Sequence, residues 1–259
     1  MKNTALITGA SSGIGKELAT IHAENGGDLI LIARSQGKLI ELKTALEKNH
    51  GVRVHVIAQD LSEYRASQAV FKEVQSLGIQ VDCLMNNAGF GLVGKFHEIP
   101  WERHMEMMNL NMTALTELTY LFLQGMVERN HGKILNTSST AGLIPGPLQA
   151  VYFASKAYVS SFSNAIAEEM HDKNITVTAL LPGATETGFA KISGVDKTAI
   201  FSNPSSARTV AEDGYNAMMR GEIDVISVSS KSQKMQLSLV PFFPKKMLLK
   251  QTRLMQEPR

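Results

Sequence analysis

Short runs of Val, Ile and Leu recur along the 259-residue chain, separated by stretches in which apolar residues return every three or four positions. Consecutive apolar positions suit strands buried on both faces, and the longer spacing suits helices with one apolar stripe. The strand candidates are TALIT, DLILIA, RVHVIA, VDCLMN, GKILNTS, ITVTALL and DVISVS. Ile14, Leu18 and Ile21 keep helical spacing between the first two, and Leu39, Leu42 and Leu46 do so between the second and third. The order βαβαβ predicts an α/β fold, one doubly wound domain over residues 1–230 with a parallel sheet and helices on both faces. From about Glu186 to Ser206 the periodicity dissolves, and a loop of that length is usually a functional lid or disordered.

Composition narrows the classes. A hydrophobic fraction of 44% builds a core. The single cysteine, Cys83, excludes an intramolecular disulfide, reads as a small buried hydrophobe and suits a reducing, cytoplasmic compartment. The amino terminus meets a glycine at position 9, too early for the apolar core of a secretory signal, and no apolar run approaches 18 residues. The seven histidines lack metal-ligand spacing, and Trp101 with Met105 and Met108 reads as helix packing.

The net charge of +2 conceals an asymmetry, because the segment from Lys231 to Arg259 holds seven basic residues and one acid. The rest of the chain is mildly acidic, which does not suit a nucleic-acid reader with charge along a folded face. Wound as a helix, the tail gathers Met247, Leu248, Leu254 and Met255 on one side, with Lys246, Lys250 and Arg253 largely opposite. Residues 231–259 are therefore expected to form a basic amphipathic extension packed on the same domain or a partner subunit, with anionic lipid as the alternative support.

The chemistry concentrates at strand ends. TGASSGIG, Thr8 to Gly15, follows the first strand and opens a helix. Its glycines at 9, 13 and 15 let backbone N–H groups approach a phosphate at the helix amino terminus. The second strand ends LIARS, with Ala33 where an acid would bond a ribose 2′-hydroxyl and Arg34, beside Ser35, able to accommodate a 2′-phosphate. That pattern selects NADP(H). Tyr152 and Lys156 lie four apart on one helix face, where an ammonium could favour the ionised phenol, although such a pair also suits a solvated face.

Five motifs in a shared order, TGASSGIG, NNAG (86–89), NTSS (136–139), YFASK (152–156) and PGATET (182–187), resemble the classical short-chain dehydrogenase/reductase family. The resemblance implies a seven-stranded Rossmann-type sheet, a nicotinamide cofactor, and oxidoreduction of an alcohol/carbonyl pair. It implies Tyr152 as general acid or base, Lys156 as the group that lowers the phenol's pKa and bonds the nicotinamide ribose, and Ser139 as hydrogen-bonding partner of the substrate oxygen. Ser139 is preferred to Ser138, and Asn111, preferred to Asn109, matches the asparagine that holds a proton-relay water. Cofactor contacts are implied at Gly9, Ser11, Ser12, Gly13, Ile14, Gly15, Arg34, Ser35, Asp60, Leu61, Asn87, Gly89, Tyr152, Lys156, Pro182, Gly183, Thr185 and Thr187, with no metal. A homodimer or homotetramer is implied too. Substrate selection is expected in Leu143 to Gln149 and in the loop after PGATET, where Phe189, Ile192, Ile200 and Phe201 would form an apolar lid suited to a hydrophobic ketone or aldehyde. Two alternatives compete: a non-catalytic dinucleotide-binding regulator, and a membrane-surface reductase of long-chain acyl or sterol substrates.

Overall fold

The computed structural model describes residues 3–198, 201, 203–240 and 243–257. Its first half alternates strand and helix: β1 (Thr4–Thr8), α1 (Gly13–Glu24), β2 (Asp28–Ala33), α2 (Gln36–His50), β3 (Val54–Ala58), α3 (Ala66–Ser76) and β4 (Cys83–Asn86). Helices α4 (Trp101–Met108) and α5 (Leu115–Glu128), joined by a π-helical turn over Asn109–Ala114, lead to β5 (Gly132–Thr137), α6 (Ala150–Glu169) and β6 (Ile175–Pro182). The remainder comprises β7 (Thr185–Glu186), α7 (Gly188–Ser193), β8 (Ser205–Ser206), α8 (Ala207–Arg220), β9 (Asp224–Ser227), α9 (Lys231–Ser238) and α10 (Lys245–Gln256).

Seven strands form one parallel sheet in the order β3-β2-β1-β4-β5-β6-β9. Alternate residues feed opposite layers, as the pleat requires. Ala5, Ile7, Leu29 and Leu31 join Leu18, Leu39, Leu42 and Leu46 from α1 and α2, and Val210 and Met218 from α8. Leu6, Ile30 and Ile32 join Val70 and Val74 of α3 and Leu118, Phe122 and Met126 of α5 on the other face. Burying each such side chain contributes about 1.5–3 kcal/mol, so the alternation fixes the register. Cys83 belongs to the first layer, and burial pushes its thiol up to about 12, which makes it unreactive. The strand order reverses where β1 lies between β2 and β4, opening a crevice at their carboxyl ends.

Three expectations are corrected. The 186–206 segment is not featureless: β7 pairs with β8, and α7 fills part of the interval. Ile192 points to solvent, and Ile200 lies outside the described residues. Helix α4 turns His104 and Met107 inward, leaving Trp101 57% exposed and Met105 at its outer edge, so the packing read for them fails. Spacing identifies residues that share a face but not which face meets the core. In the tail, α10 buries Thr252 and Gln256 and leaves Met247, Leu254 and Met255 exposed.

Candidate active site

The site is assembled at the crevice. Gly9, Gly13 and Gly15 line the turn from β1 into α1, and two of them use left-handed backbone, Gly9 at φ 68° and Gly13 at φ 54°. A Cβ on Gly15 would fall 2.4 Å from the Gly9 carbonyl oxygen and 2.5 Å from Asn87 Nδ2, so no larger residue fits. Ser12 precedes the first turn of α1 without using its hydroxyl as a cap, and Ser11 and Ile14 sit half-buried beside it. The helix amino terminus thus keeps unpaired N–H groups beside a cradle free of side chains. Thr8 ties the turn to β4, its hydroxyl accepting the N–H groups of Asn87 and Ala88 at 2.9 Å each, while Asn87 Nδ2 donates to the Thr8 carbonyl at 3.0 Å.

At the end of β2, Arg34 extends a side chain that is 72% exposed, and its guanidinium lies 3.6 Å from Asp60 Oδ2. Burial alone would raise the Asp60 carboxyl, but two hydrogen bonds from Ser62 and the Arg34 charge outweigh it and hold the group below its ordinary value. Ser35 is exposed beside Arg34, and Leu61 is buried beside Asp60. The exposed guanidinium at the end of β2, with the glycine cradle adjoining, fits a dinucleotide that carries an additional phosphate.

Helix α6 brings the reacting groups together. Lys156 is 4% exposed and donates from Nζ to the Thr137 carbonyl at 2.8 Å, with Nζ 5.9 Å from the Tyr152 ring centre. Burial drives this amine down to about 8. The expected lowering of the phenol is not present. Burial pushes Tyr152 up to about 12, and a hydrogen bond with Ser139 offsets only part of this, because Lys156 is itself desolvated and directed to a carbonyl. Ser139 Oγ donates to the Pro182 carbonyl at 3.3 Å and accepts the Ala141 N–H at 3.1 Å. Ser138 instead bonds the Lys156 carbonyl and Ser160, each at 2.8 Å, and braces α6.

The two asparagines separate in the same way. Asn109 donates to the Ser62 carbonyl at 3.3 Å, on the Asp60 side. Asn111 lies in the π-helical turn, a local widening frequent at functional sites, and donates to the Phe90 carbonyl at 2.9 Å and Ser155 Oγ at 3.1 Å. Its Oδ1 accepts the Phe90 N–H at 3.1 Å, and a Cβ on Gly89 would stand 3.0 Å from that oxygen and 3.4 Å from Lys156 Nζ. Gly89 therefore leaves Asn111 and Lys156 a shared space.

The PGATET loop covers the cradle. Pro182 ends β6, Gly183 donates its N–H to the Ser227 carbonyl at 2.8 Å, and Thr185 Oγ1 donates to the Gly183 carbonyl at 3.0 Å. The Thr187 methyl would lie 2.8 Å from a Cβ on Gly13, and its hydroxyl caps α7 by accepting the Phe189 N–H. Phe189 rests on Tyr152 with ring centres 5.5 Å apart. Cavities of about 440 Å³ around Phe96, Trp101 and His104 and about 300 Å³ beside Gly183 are lined by neither Ser139, Tyr152 nor Lys156.

Thr8, Ser155 and the Gln149–Gln256 hydrogen bond were not singled out in the sequence. A threonine ending a strand carries no signal of its own, and Ser155 reads as a small helix residue.

A family model described as short chain dehydrogenase matches residues 3–197. The chain is 37% identical over 194 residues to the very-long-chain 3-oxoacyl-CoA reductase of Rattus norvegicus, covering 73% of this chain and 61% of that protein. It thus spans about 61% of the length of that curated relative. A short-chain dehydrogenase from Sphingobium yanoikuyae in complex with NADPH superposes with a TM-score of 0.83 at 30% identity, over 93% of this chain and 94% of the other. L-sorbose reductase from Gluconobacter frateurii, complexed with NADPH and L-sorbose, does so with a TM-score of 0.77 at 26% identity, over 87% and 95%.

Proposed function

The chain belongs to the short-chain dehydrogenase family, and from that premise we propose that it is an NADP(H)-dependent oxidoreductase of carbonyl and alcohol groups. The observation that carries this is the convergence of Ser139, Tyr152 and Lys156 beside the glycine cradle. A bound nicotinamide supplies the hydride. The turn from Gly9 to Gly15 holds the diphosphate at the amino terminus of α1, and Arg34 takes the 2′-phosphate. Asp60 and Leu61 receive the adenine, Asn87 and Gly89 underlie its ribose, Lys156 bonds the nicotinamide ribose, and Pro182, Gly183, Thr185 and Thr187 orient the carboxamide. Ser139 donates a hydrogen bond to the substrate oxygen, where negative charge develops. Tyr152 gives that oxygen its proton, and Asn111 positions the relay behind Lys156.

Burial holds the Tyr152 phenol protonated at neutral pH, the form that a general acid needs in the direction of reduction. The name of the rat relative and the ring of Phe189 against Tyr152 support a hydrophobic ketone, with 3-oxoacyl thioesters the first class to assay. A homodimer or homotetramer is part of the proposal, supported by exposed Trp101 and Met105 on α4 and Tyr120 on α5. Cytoplasmic placement is proposed on the single cysteine alone.

The test titrates the protein with NADPH and NADH, then assays 3-oxoacyl thioesters and bulky ketones. NADPH should bind more tightly, and Arg34→Ala should weaken it at least tenfold while sparing NADH. Tyr152→Phe should lower turnover by about 10²–10⁴ with NADPH binding retained. Equal affinity for the two dinucleotides refutes the Arg34 assignment, and binding without turnover across the panel favours a non-catalytic regulator.

A further inference from the structure

The carboxyl-terminal helices present a surface that the dinucleotide site does not use. Helix α10 is fastened by its polar side: buried Gln149, which caps α6 three residues before Tyr152, donates a hydrogen bond to buried Gln256, and Thr252 is buried one turn earlier. With that side inward, apolar residues face out. Met235 is 64% exposed, Met247 47% and Leu254 62%, with Leu239, Phe243 and Met255 also exposed. Lys245, Lys246 and Lys250 are exposed among them, and Arg253 pairs with Glu257 at 3.1 Å. Isolated surface hydrophobes need no explanation, but these six together with exposed Leu249, all within one short basic segment, do.

We propose that this face is a docking surface for an anionic lipid bilayer. The argument is charge complementarity combined with depth. From Lys231 onward basic residues outnumber acids seven to one, on a chain whose remainder is net acidic, so the field attracts a negatively charged partner to this end. Tail-to-tail pairing of two copies would set those cations against each other. A bilayer of anionic lipid instead offers phosphate to Lys246, Lys250 and Arg253 and an apolar interior to Met247 and Leu254, while long lysine stems reach back to the headgroups. No helix among the described residues is long and apolar enough to cross a membrane, so the contact lies on the surface. Because α10 is fastened to the start of α6, docking would set the mouth of the active site beside the lipid.

The test is sedimentation of the full chain with vesicles, read alongside its mass by light scattering. Vesicles of phosphatidylcholine containing about one third phosphatidylglycerol should pull the protein down at low salt and release it at high salt, and pure phosphatidylcholine should not bind. Lys246→Glu with Lys250→Glu should weaken binding at least tenfold, as should Met247→Ser with Leu254→Ser, with an unchanged melting temperature confirming the fold. All four positions are exposed, so folding is spared. Absence of binding at low salt overturns the proposal, as does binding that both double variants retain. A fall in oligomer mass in the variants, without lipid binding in the parent, assigns the face to a second copy and likewise overturns it.

Discussion

Replacing Lys156 with Met should make the ligand-free protein more stable at neutral pH while abolishing its proposed activity. The amine is buried and its pKa falls from 10.5 to about 8, so at pH 7 the folded chain carries a charge that it holds poorly. That displacement corresponds to about 3 kcal/mol of penalty on the charged form. Methionine matches the stem but leaves the Thr137 carbonyl without its donor, which returns about 1–2 kcal/mol of the gain. The net expectation is stabilisation by about 1–2 kcal/mol at pH 7. The pH dependence isolates the cause. A depressed amine pKa leaves the full penalty in place below the folded value and relieves it as pH climbs from about 8 toward 10.5. Between about pH 7 and pH 9.5 the parent should therefore gain about 2 kcal/mol relative to the variant. Urea unfolding of both proteins at the two pH values measures this. Other groups that titrate in the window, Cys83 and Tyr215 among them, act equally on both proteins and cancel. A stability difference that does not change with pH would refute the reasoning, since it would mean that Lys156 carries its charge without penalty.

Two further substitutions probe neighbouring parts of the site. Gly15→Ala places a methyl 2.4 Å from the Gly9 carbonyl oxygen, which should cost about 1–3 kcal/mol in thermal or urea unfolding. It should also weaken NADPH binding at least tenfold in a fluorescence titration, and full affinity would show that no phosphate sits on this turn. Phe189→Ala removes the ring packed on Tyr152 and admits water, so the phenol should ionise earlier, moving from about 12 toward the ordinary tyrosine value. The alkaline ultraviolet difference between this variant and its Tyr152→Phe derivative isolates that phenol, and an unshifted titration would exclude Phe189 as its desolvating cover.

What the sequence made legible follows from what is local. Glycine at 9, 13 and 15 is demanded by a turn whose constraints act within a few residues, and the burial of Leu18, Leu39 and Leu42 follows from spacing within single helices. Tyr152 and Lys156 share a helix face through their spacing of four. Facing direction is different, because periodicity groups residues without saying which group meets the core. The outward position of Trp101 on α4 escapes spacing for that reason, and spacing alone leaves the inward face of α10 open. In α10 the deciding contact, Gln256 with Gln149, joins positions 107 residues apart.

Ionisation is less local still. The spacing of Tyr152 and Lys156 suggested an ammonium lowering a phenol, a sound inference if both groups face water. In the folded chain Phe189 lies over the phenol and Thr137 takes the ammonium's hydrogen bond, and both residues come from elements remote from α6 in sequence. Desolvation then acts on the two groups in opposite senses, raising the acid to about 12 and lowering the amine to about 8. Each shift favours the neutral form, so Tyr152 carries at neutral pH the proton that it is proposed to give to the substrate oxygen. The protonation state of the pair thus depends on the tertiary cover over the motif and can be altered at Phe189 without touching either member of the pair.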